Sequence, residues 1–325
     1  MCYNSESYLE RCKHNYENMK MKNRLVEIFA GCLVILISVS ATAAQKRKPV
    51  NSKSKPVIFA VLNDGKMLEP IAYIDKGKLT AAIGGDSDAK DLASFTKSYY
   101  APKTTYQMIF GGADAGTVSV KSFDIKAECA KHTAQIAWQS PKAKLRGMVM
   151  ALATNALVNK KALGLRRIPT AAERSEIEAL VRAEFTKGKI SANNLKNLRS
   201  HNLTALDVDN DGQAELVGTY WIETSATTRA LLFFIADQNK NGKYALGHSE
   251  FKTVKQDDVM SGEIQALDNG VYHELLLDVF DYDGDGTGEI FTYVQSFEGA
   301  GFNAYRRASG KWTQSFETSN YHCAF

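Results

Sequence analysis

Two short acidic segments of the sequence have the residue types and spacing of metal-binding loops. Each carries carboxylates at its positions 1, 3, 5 and 9, a glycine at position 6, and a position 7 whose backbone carbonyl can add an oxygen. Calcium takes six to eight oxygen ligands at about 2.3–2.6 Å, and alternating carboxylates on a tightly turning loop can converge on one such ion. The predicted Ca²⁺ ligands are Asp207, Asp209, Asp211, Gln213 and Glu215 in the first segment, and Asp281, Asp283, Asp285, Thr287 and Glu289 in the second.

Neither segment has the pattern of an EF-hand. An EF-hand places a bidentate glutamate at position 12 and a helix on each side, whereas position 12 is Gly218 in the first segment and Thr292 in the second. The residues that follow are rich in β-branched and aromatic types, which favours a loop that leads into a strand. Magnesium keeps several waters and seldom uses an all-protein cage, so calcium is the expected ion.

A third segment is a weaker metal candidate. Asp237, Asn239 and Asn241 also place oxygens at positions 1, 3 and 5, but they carry one negative charge instead of three. Asn241 is followed by glycine, and Asn-Gly is the strongest short signal for a β-hairpin turn. A hairpin turn is therefore the favoured interpretation of residues 237–242.

The two acidic segments resemble FG-GAP/VCBS repeats, the calcium-loop units of integrin-type β-propeller blades. The resemblance is carried by the pattern D-x-D-x-D-G-x-x-E before a strand, and by a Gly-Lys-aromatic triplet after each loop, at residues 242–244 and 310–312. It implies two copies of one blade-like unit, at 207–244 and 281–312, whose loops begin 74 residues apart. Because residues 45–200 hold no further copy, we expect two blade-like units in antiparallel sheets and no closed propeller.

The elements around these loops are predicted to be mostly strands. Alternating or continuous apolar runs bounded by turn residues predict strands, and they occur at 57–62, 71–74, 79–83, 105–110, 117–125 and 133–138. One amphipathic helix is predicted at 171–185, where Thr170 and Glu173 have the spacing of a capping box. The expected fold class is mainly β, a β-rich α+β protein of antiparallel sheets.

The N-terminal region has the order of parts that defines an export signal. Three basic residues precede a 13-residue apolar run at 28–40, and Ala41-Thr42-Ala43 follows it as a cleavage site. A spanning helix needs about 20 apolar residues, so this run is short for a membrane anchor. We expect a periplasmic or secreted protein that meets the membrane only through its signal sequence. The expected organisation is an extension and signal at 1–44, a basic linker at 45–56, a β-rich domain at 57–168, a helical connector at 169–199 and a calcium-loop β domain at 200–325.

Two cysteines remain after the signal segment, Cys129 and Cys323. In an oxidising compartment such a pair often forms a disulfide, and this one would attach the C-terminal tail to the first half of the protein. Two separate buried thiols are the alternative.

Other function classes find little support in the sequence. A net charge of +4 is small and dispersed, which argues against nucleic acid as a partner. No serine-hydrolase elbow occurs, and the histidines are scattered without the spacing of a zinc site. We expect an exported calcium-binding protein with a non-catalytic binding or scaffold role, whose partner is an extracytoplasmic protein or a glycan. The alternative is a secreted or periplasmic hydrolase of cell-wall polysaccharides with calcium as a fold support.

Overall fold

The computed structural model describes residues 54–323. The predicted extension, signal segment and cleavage site, and most of the basic linker, lie outside the described residues. The described chain is mainly β, as the sequence predicts, and its strands form three antiparallel sheets. Within residues 54–323, none of the helices has the length and apolar character needed to cross a bilayer.

The first sheet is a barrel. Its seven strands are ordered β1-β7-β4-β5-β6-β2-β3, and a pairing of β1 with β2 closes the ring while β3 extends from β2. The strands are β1 (Val57–Leu62), β2 (Met67–Asp75), β3 (Lys78–Ala81), β4 (Thr105–Phe110), β5 (Ala113–Phe123), β6 (Ala134–Gln139) and β7 (Ala151–Thr154). Gly111 and Gly112, both at positive φ, make the β4–β5 hairpin turn that their sequence indicates.

A helix that the sequence analysis did not predict, α1 (Ala89–Tyr99), packs against the barrel core. Leu92, Phe95 and Tyr99 bury its apolar face beside Phe59 of β1. Its N-cap residue is Asp88, a type favoured at helix N-termini, although within residues 54–323 the Asp88 side chain makes no capping hydrogen bond.

The second sheet contains the first acidic segment. Its strand order is β12-β11-β10-β9-β8. The strands are β8 (Arg166–Arg167), β9 (Arg199–Leu206), β10 (Glu215–Ser225), β11 (Thr228–Gln238) and β12 (Tyr244–Lys255). We call β9–β12 the first meander, because consecutive strands are neighbours.

The predicted amphipathic helix, α2 (Ala171–Lys187), packs on the first meander through Ile177, Val181 and Phe185. Its capping box is present: Glu173 N–H donates to the Thr170 side chain, and Thr170 N–H donates to the Glu173 carboxylate.

The third sheet contains the second acidic segment, and we call it the second meander. It consists of β13 (Glu274–Phe280), β14 (Glu289–Gln295), β15 (Gly299–Ala308) and β16 (Lys311–Tyr321), in chain order. One face packs on the first meander, where Leu276 and Val279 meet Val217 and Ile235. Its opposite face packs on the outside of the barrel, where Phe291 and Phe302 lie among residues of β1 and β2. The second meander is therefore the central layer.

Candidate metal centres

The two acidic loops occupy equivalent places in the two meanders. Residues 207–214 connect β9 to β10, and residues 281–288 connect β13 to β14. Glu215 and Glu289, at position 9 of each loop, are the first residues of the strands that follow. Each loop thus leads from a buried strand into the next strand of the same sheet.

The backbone of both loops is held by the same hydrogen bonds. The position 6 N–H donates to the position 1 aspartate, at 3.0 Å for Gly212 to Asp207 and 3.2 Å for Gly286 to Asp281. The N–H groups of positions 5 and 7 donate to the aspartates of positions 3 and 5 in both loops. This repetition shows that the shared sequence spacing produces a shared conformation.

The glycine at position 6 is required by its backbone conformation. Its φ is +84° at Gly212 and +94° at Gly286, and an added Cβ would meet no atom within 4 Å at either position. Side-chain-bearing residues rarely adopt this region, at a cost of about 1–2 kcal/mol. Space is available, so the conformation alone selects glycine.

The position 9 glutamates are buried, and each loop has a buried carboxylate oxygen without a hydrogen-bond partner within residues 54–323. Glu289 is 1% exposed, and within residues 54–323 neither of its carboxylate oxygens has a hydrogen-bond partner. Glu215 accepts one bond, from the N–H of Val208 at 3.0 Å, and Oδ1 of the buried Asp207 accepts none. Leaving a buried polar group unsatisfied costs about 1–3 kcal/mol, and more for a charged one. A cation at these oxygens would remove that cost.

Burial also changes the protonation of both glutamates. It raises the pKa of Glu215 to about 8, with a further contribution from the neighbouring Asp209 carboxylate. It raises the pKa of Glu289 to about 8, with a further contribution from Asp283. Both carboxyls therefore need an added positive charge to be fully ionised at neutral pH.

Carboxylate oxygens converge in each loop, though not with the same members. Asp207, Asp209 and Glu215 bring ligand atoms within 4.8 Å of one another in the first loop, and Asp281, Asp283 and Asp285 do so in the second. Two other predicted carboxylate ligands, Asp211 and Glu289, are not in these groups. The side-chain oxygens of Gln213 and Thr287 are the remaining predicted ligands. Nε2 of Gln213 donates to Asp211 at 2.8 Å, which leaves both its side-chain oxygen and its backbone carbonyl available to a metal.

Adjacent arginines on β15 reach the two loops. Arg306 lies 2.8 Å from Asp283, 2.7 Å from Asp285 and 3.8 Å from Glu289. Arg307 contacts Asp209 and lies 3.6 Å from Glu215 and 3.3 Å from Asp237. Neighbouring residues of a strand point to opposite faces. Arg306 of β15 therefore contacts the second loop, in its own meander, and Arg307 contacts the first loop, in the other meander.

The loops also touch directly. The N–H of Gly288, at position 8 of the second loop, donates to the carbonyl of Val208 in the first loop at 2.6 Å. An ion that stiffened either loop would therefore also stiffen the contact between the two meanders.

The weaker third segment is the hairpin turn between β11 and β12. Asn239 accepts from the N–H groups of Asn241 and Lys243 at 2.9 and 3.1 Å. The Asp237 carboxylate accepts from Trp312 Nε1 at 2.9 Å and also lies beside Arg307. These contacts occupy two of the three side chains that the sequence suggested as ligands, those of Asp237 and Asn239, and the Asp237 contacts tie the turn to the second meander.

Cys129 and Cys323 are joined by a disulfide, with 5.3 Å between their Cα atoms. Cys129 lies between β5 and β6, and Cys323 follows β16. The bond therefore attaches the C-terminal end of the second meander to the barrel, the attachment that the sequence analysis gives as one of two alternatives.

Two histidines that are far apart in the sequence lie close together in the fold. His132 and His322 both contact Glu69 of β2, so these two histidines, scattered in the sequence, are neighbours in the fold. The sequence offers one signal for their proximity. His132 comes three residues after Cys129, and His322 comes immediately before Cys323, so a disulfide between the cysteines brings the histidines close.

Comparisons of the chain with protein-family models, with curated proteins and with solved structures give no match.

Proposed function

We propose that this is an exported calcium-binding protein in which two Ca²⁺ ions stabilise the paired meanders. One observation carries the proposal: two loops that share a hydrogen-bond pattern each hold a buried carboxylate oxygen that has no partner within residues 54–323, on Asp207 in the first loop and on Glu289 in the second. An accidental acidic surface would keep its charges in water. Each of these loops instead directs a carboxyl into the protein.

The charge balance of the loops supports a divalent cation. Each loop contains three aspartates and one glutamate, against one arginine within ion-pair distance in the described part of the chain. One guanidinium cannot neutralise four carboxylates, and a calcium ion would remove most of the remaining repulsion. Calcium also accepts the mixture of carboxylate and backbone carbonyl oxygens that such loops offer.

The proposed role of calcium is structural. Each loop joins the first two strands of a meander, and Gly288 connects the two loops. Ions bound there would fix both strand connections and the packing between the meanders. A ligand that binds only the folded state stabilises it by RT ln(1 + [L]/Kd), about 2.7 kcal/mol per site at 100 times Kd.

Export is part of the same proposal. It is supported by the signal-like order of residues 20–43 and by the Cys129–Cys323 disulfide, a bond typical of oxidising compartments. Expression of the full chain in a bacterium, followed by fractionation and N-terminal sequencing, tests it. A mature N-terminus near Ala44 outside the cytoplasm is expected. An intact N-terminus in the cytoplasm would contradict export.

We further propose that the protein binds an anionic glycan. A cavity of about 500 Å³ lies between the barrel and β8–β9, and its basic lining residues are Lys142, Lys144, Arg166, Arg167 and Arg174. Within residues 54–323, Lys142, Lys144 and Arg174 form no ion pair. A cavity of this size suits a sugar-sized group better than a protein surface. The lining of this cavity, within residues 54–323, contains no carboxylate, so it offers no acid–base pair for a hydrolase.

Thermal unfolding tests the calcium proposal, with EGTA and with millimolar calcium. We expect a higher midpoint in calcium, and no shift would refute the proposal. Binding of a polyuronate fragment at physiological salt tests the glycan proposal. The double variant Lys142→Ala, Lys144→Ala should weaken binding at least about tenfold. The control Lys121→Ala, Lys126→Ala changes two exposed lysines outside the cavity lining and should bind as wild type does.

A further inference from the structure

A second kind of metal site is suggested by three buried side chains far from the acidic loops. Glu69 is in β2, His132 lies between β5 and β6, and His322 follows β16. Glu69 and His132 are fully buried and His322 is 8% exposed. The fold thus brings together, from three distant parts of the chain, two imidazoles and one carboxylate. These are the donors of a common zinc ligand set.

The distances between the donor atoms fit an ion between them. Nε2 of His132 lies 3.1 Å from Oε1 of Glu69, and Nε2 of His322 lies 2.8 Å from the same oxygen. Metal bonds of about 2.0–2.2 Å in a tetrahedron place neighbouring donors about 3.3–3.5 Å apart. An outward movement of each imidazole by a few tenths of an ångström would therefore give both nitrogens the separation from Oε1 that two ligands of one zinc ion have.

Hydrogen bonding alone leaves this cluster incompletely satisfied. Oε1 of Glu69 is contacted by both imidazoles and also accepts from Nδ2 of Asn320 at 2.9 Å. Oε2 of Glu69 and Nδ1 of His132 are buried, and within residues 54–323 neither has a partner. Three nitrogen groups thus crowd one oxygen while the other has none. A metal ion bound by the carboxylate would relieve that imbalance.

The surroundings hold the three side chains in place. The Cys129–Cys323 disulfide brackets both histidines, and Asn320 also donates to the carbonyl of Pro70 at 3.1 Å. A Cβ on Gly85 would come within 1.9 Å of the Tyr321 carbonyl and 3.2 Å of His132 Nδ1, so the chain packs closely over the cluster. Ligands fixed by their surroundings lose little entropy on binding.

We propose that Glu69, His132 and His322 bind a divalent transition metal of the zinc class, which ties the C-terminal segment to β2. Imidazole with carboxylate is a donor set for zinc and its neighbours in the first transition row, whereas calcium and magnesium select oxygen ligands. Three protein ligands leave one tetrahedral position for water or another small ligand. This site is independent of the calcium loops, which contain no histidine.

The test is equilibrium dialysis of the oxidised full chain against Zn²⁺, followed by metal analysis. Millimolar calcium is present throughout to compete at the acidic loops, and no reductant is used, so that Cys129 and Cys323 stay paired. We expect one zinc per chain. His322→Asn should weaken binding by at least about 100-fold, because it removes one of three ligands near the end of the chain. His248→Asn, a histidine outside the cluster, should bind as wild type does.

A second measurement uses only the wild-type protein, so it does not depend on whether a variant folds. Cobalt(II) added to the wild-type protein should give the intense visible absorption of a tetrahedral site and should be displaced by zinc. Absence of stoichiometric zinc binding and of this absorption in the wild-type protein would overturn the proposal. Unchanged zinc affinity in a folded His322→Asn protein would overturn it as well.

Discussion

The two acidic loops have the same backbone conformation but different surroundings. In the first loop the converging carboxylates include the position 9 residue, Glu215, and the nearby arginine comes from the other meander. In the second loop the converging carboxylates are those of positions 1, 3 and 5, and the arginine belongs to the same meander. The spacing of aspartates thus determines the loop conformation, while the packing of the two meanders determines which charges face each site.

The largest expected effect separates the two sites. Asp209→Ala and Asp283→Ala each remove the position 3 carboxylate of one loop, so each variant should lose one of two calcium equivalents. At a calcium concentration of 100 times Kd, the loss of one bound ion should lower the free energy of unfolding of each variant by about 2.7 kcal/mol. Chemical denaturation in calcium and in EGTA measures this. Equal losses in both media would show that the mutated carboxylate does not act through calcium.

The second prediction concerns pH in the absence of calcium. The pKa values of Glu215 and Glu289, raised to about 8 in the folded protein, exceed the ordinary value of 4.5. The folded state therefore binds more protons than the unfolded state between those values. The contribution of these two glutamates to the stability of the folded state should be greatest below pH 4.5 and should fall as the pH rises to 8.

Glu215→Gln and Glu289→Gln should each flatten part of this pH dependence. Urea denaturation in EGTA at pH 5, 6, 7 and 8 measures it, and the two variants compare the loops. If the free energy of unfolding instead rose between pH 5 and 8 because of these two glutamates, their raised pKa values would be contradicted.

The third prediction tests the shared backbone conformation. Gly212→Ala and Gly286→Ala place a side chain at φ values of +84° and +94° with open space around the added methyl group. Each should lower stability by about 1–2 kcal/mol, and by similar amounts, because the strain is the same. Gly310→Ala, at φ +73° with open space in the β15–β16 turn, is a matched control. It should cost a similar amount without changing calcium affinity, whereas the loop variants should reduce both.

The smallest effect should come from the arginines. Arg306→Gln and Arg307→Gln each remove a positive charge from one loop, so both should raise calcium affinity modestly and lower stability in EGTA by about 0.2–1 kcal/mol. The effect should be larger for Arg307, whose side chain is 21% exposed, than for Arg306 at 41%. Calorimetric titration of both variants gives the comparison, and a weaker calcium affinity in either would contradict it.

Features with local signals could be predicted from the sequence. The strands Val57–Leu62 and Thr105–Phe110 have the predicted bounds, and the Thr170–Glu173 capping box is confirmed, because apolar runs, turn residues and caps act over a few residues. The first acidic loop, like the second, leads into a strand as its following residues indicate. Helix α1 also has local signals, Asp88 at its N-cap and an apolar face of Leu92, Phe95 and Tyr99, although it is not among the predicted elements.

Features that depend on long-range packing were not accessible. The closure of the barrel needs the pairing of β1 with both β2 and β7. The approach of Arg307 to Asp209 crosses from one meander to the other, and its register follows from the whole sheet. The meeting of Glu69 with His322 spans 253 residues, and only the adjacent cysteines hint at it.

Calorimetric titration of the decalcified wild-type protein with calcium tests whether each meander holds one structural calcium ion. We expect two calcium equivalents per chain, with a higher unfolding midpoint once both are bound. A titration that shows no binding at millimolar calcium would contradict this expectation.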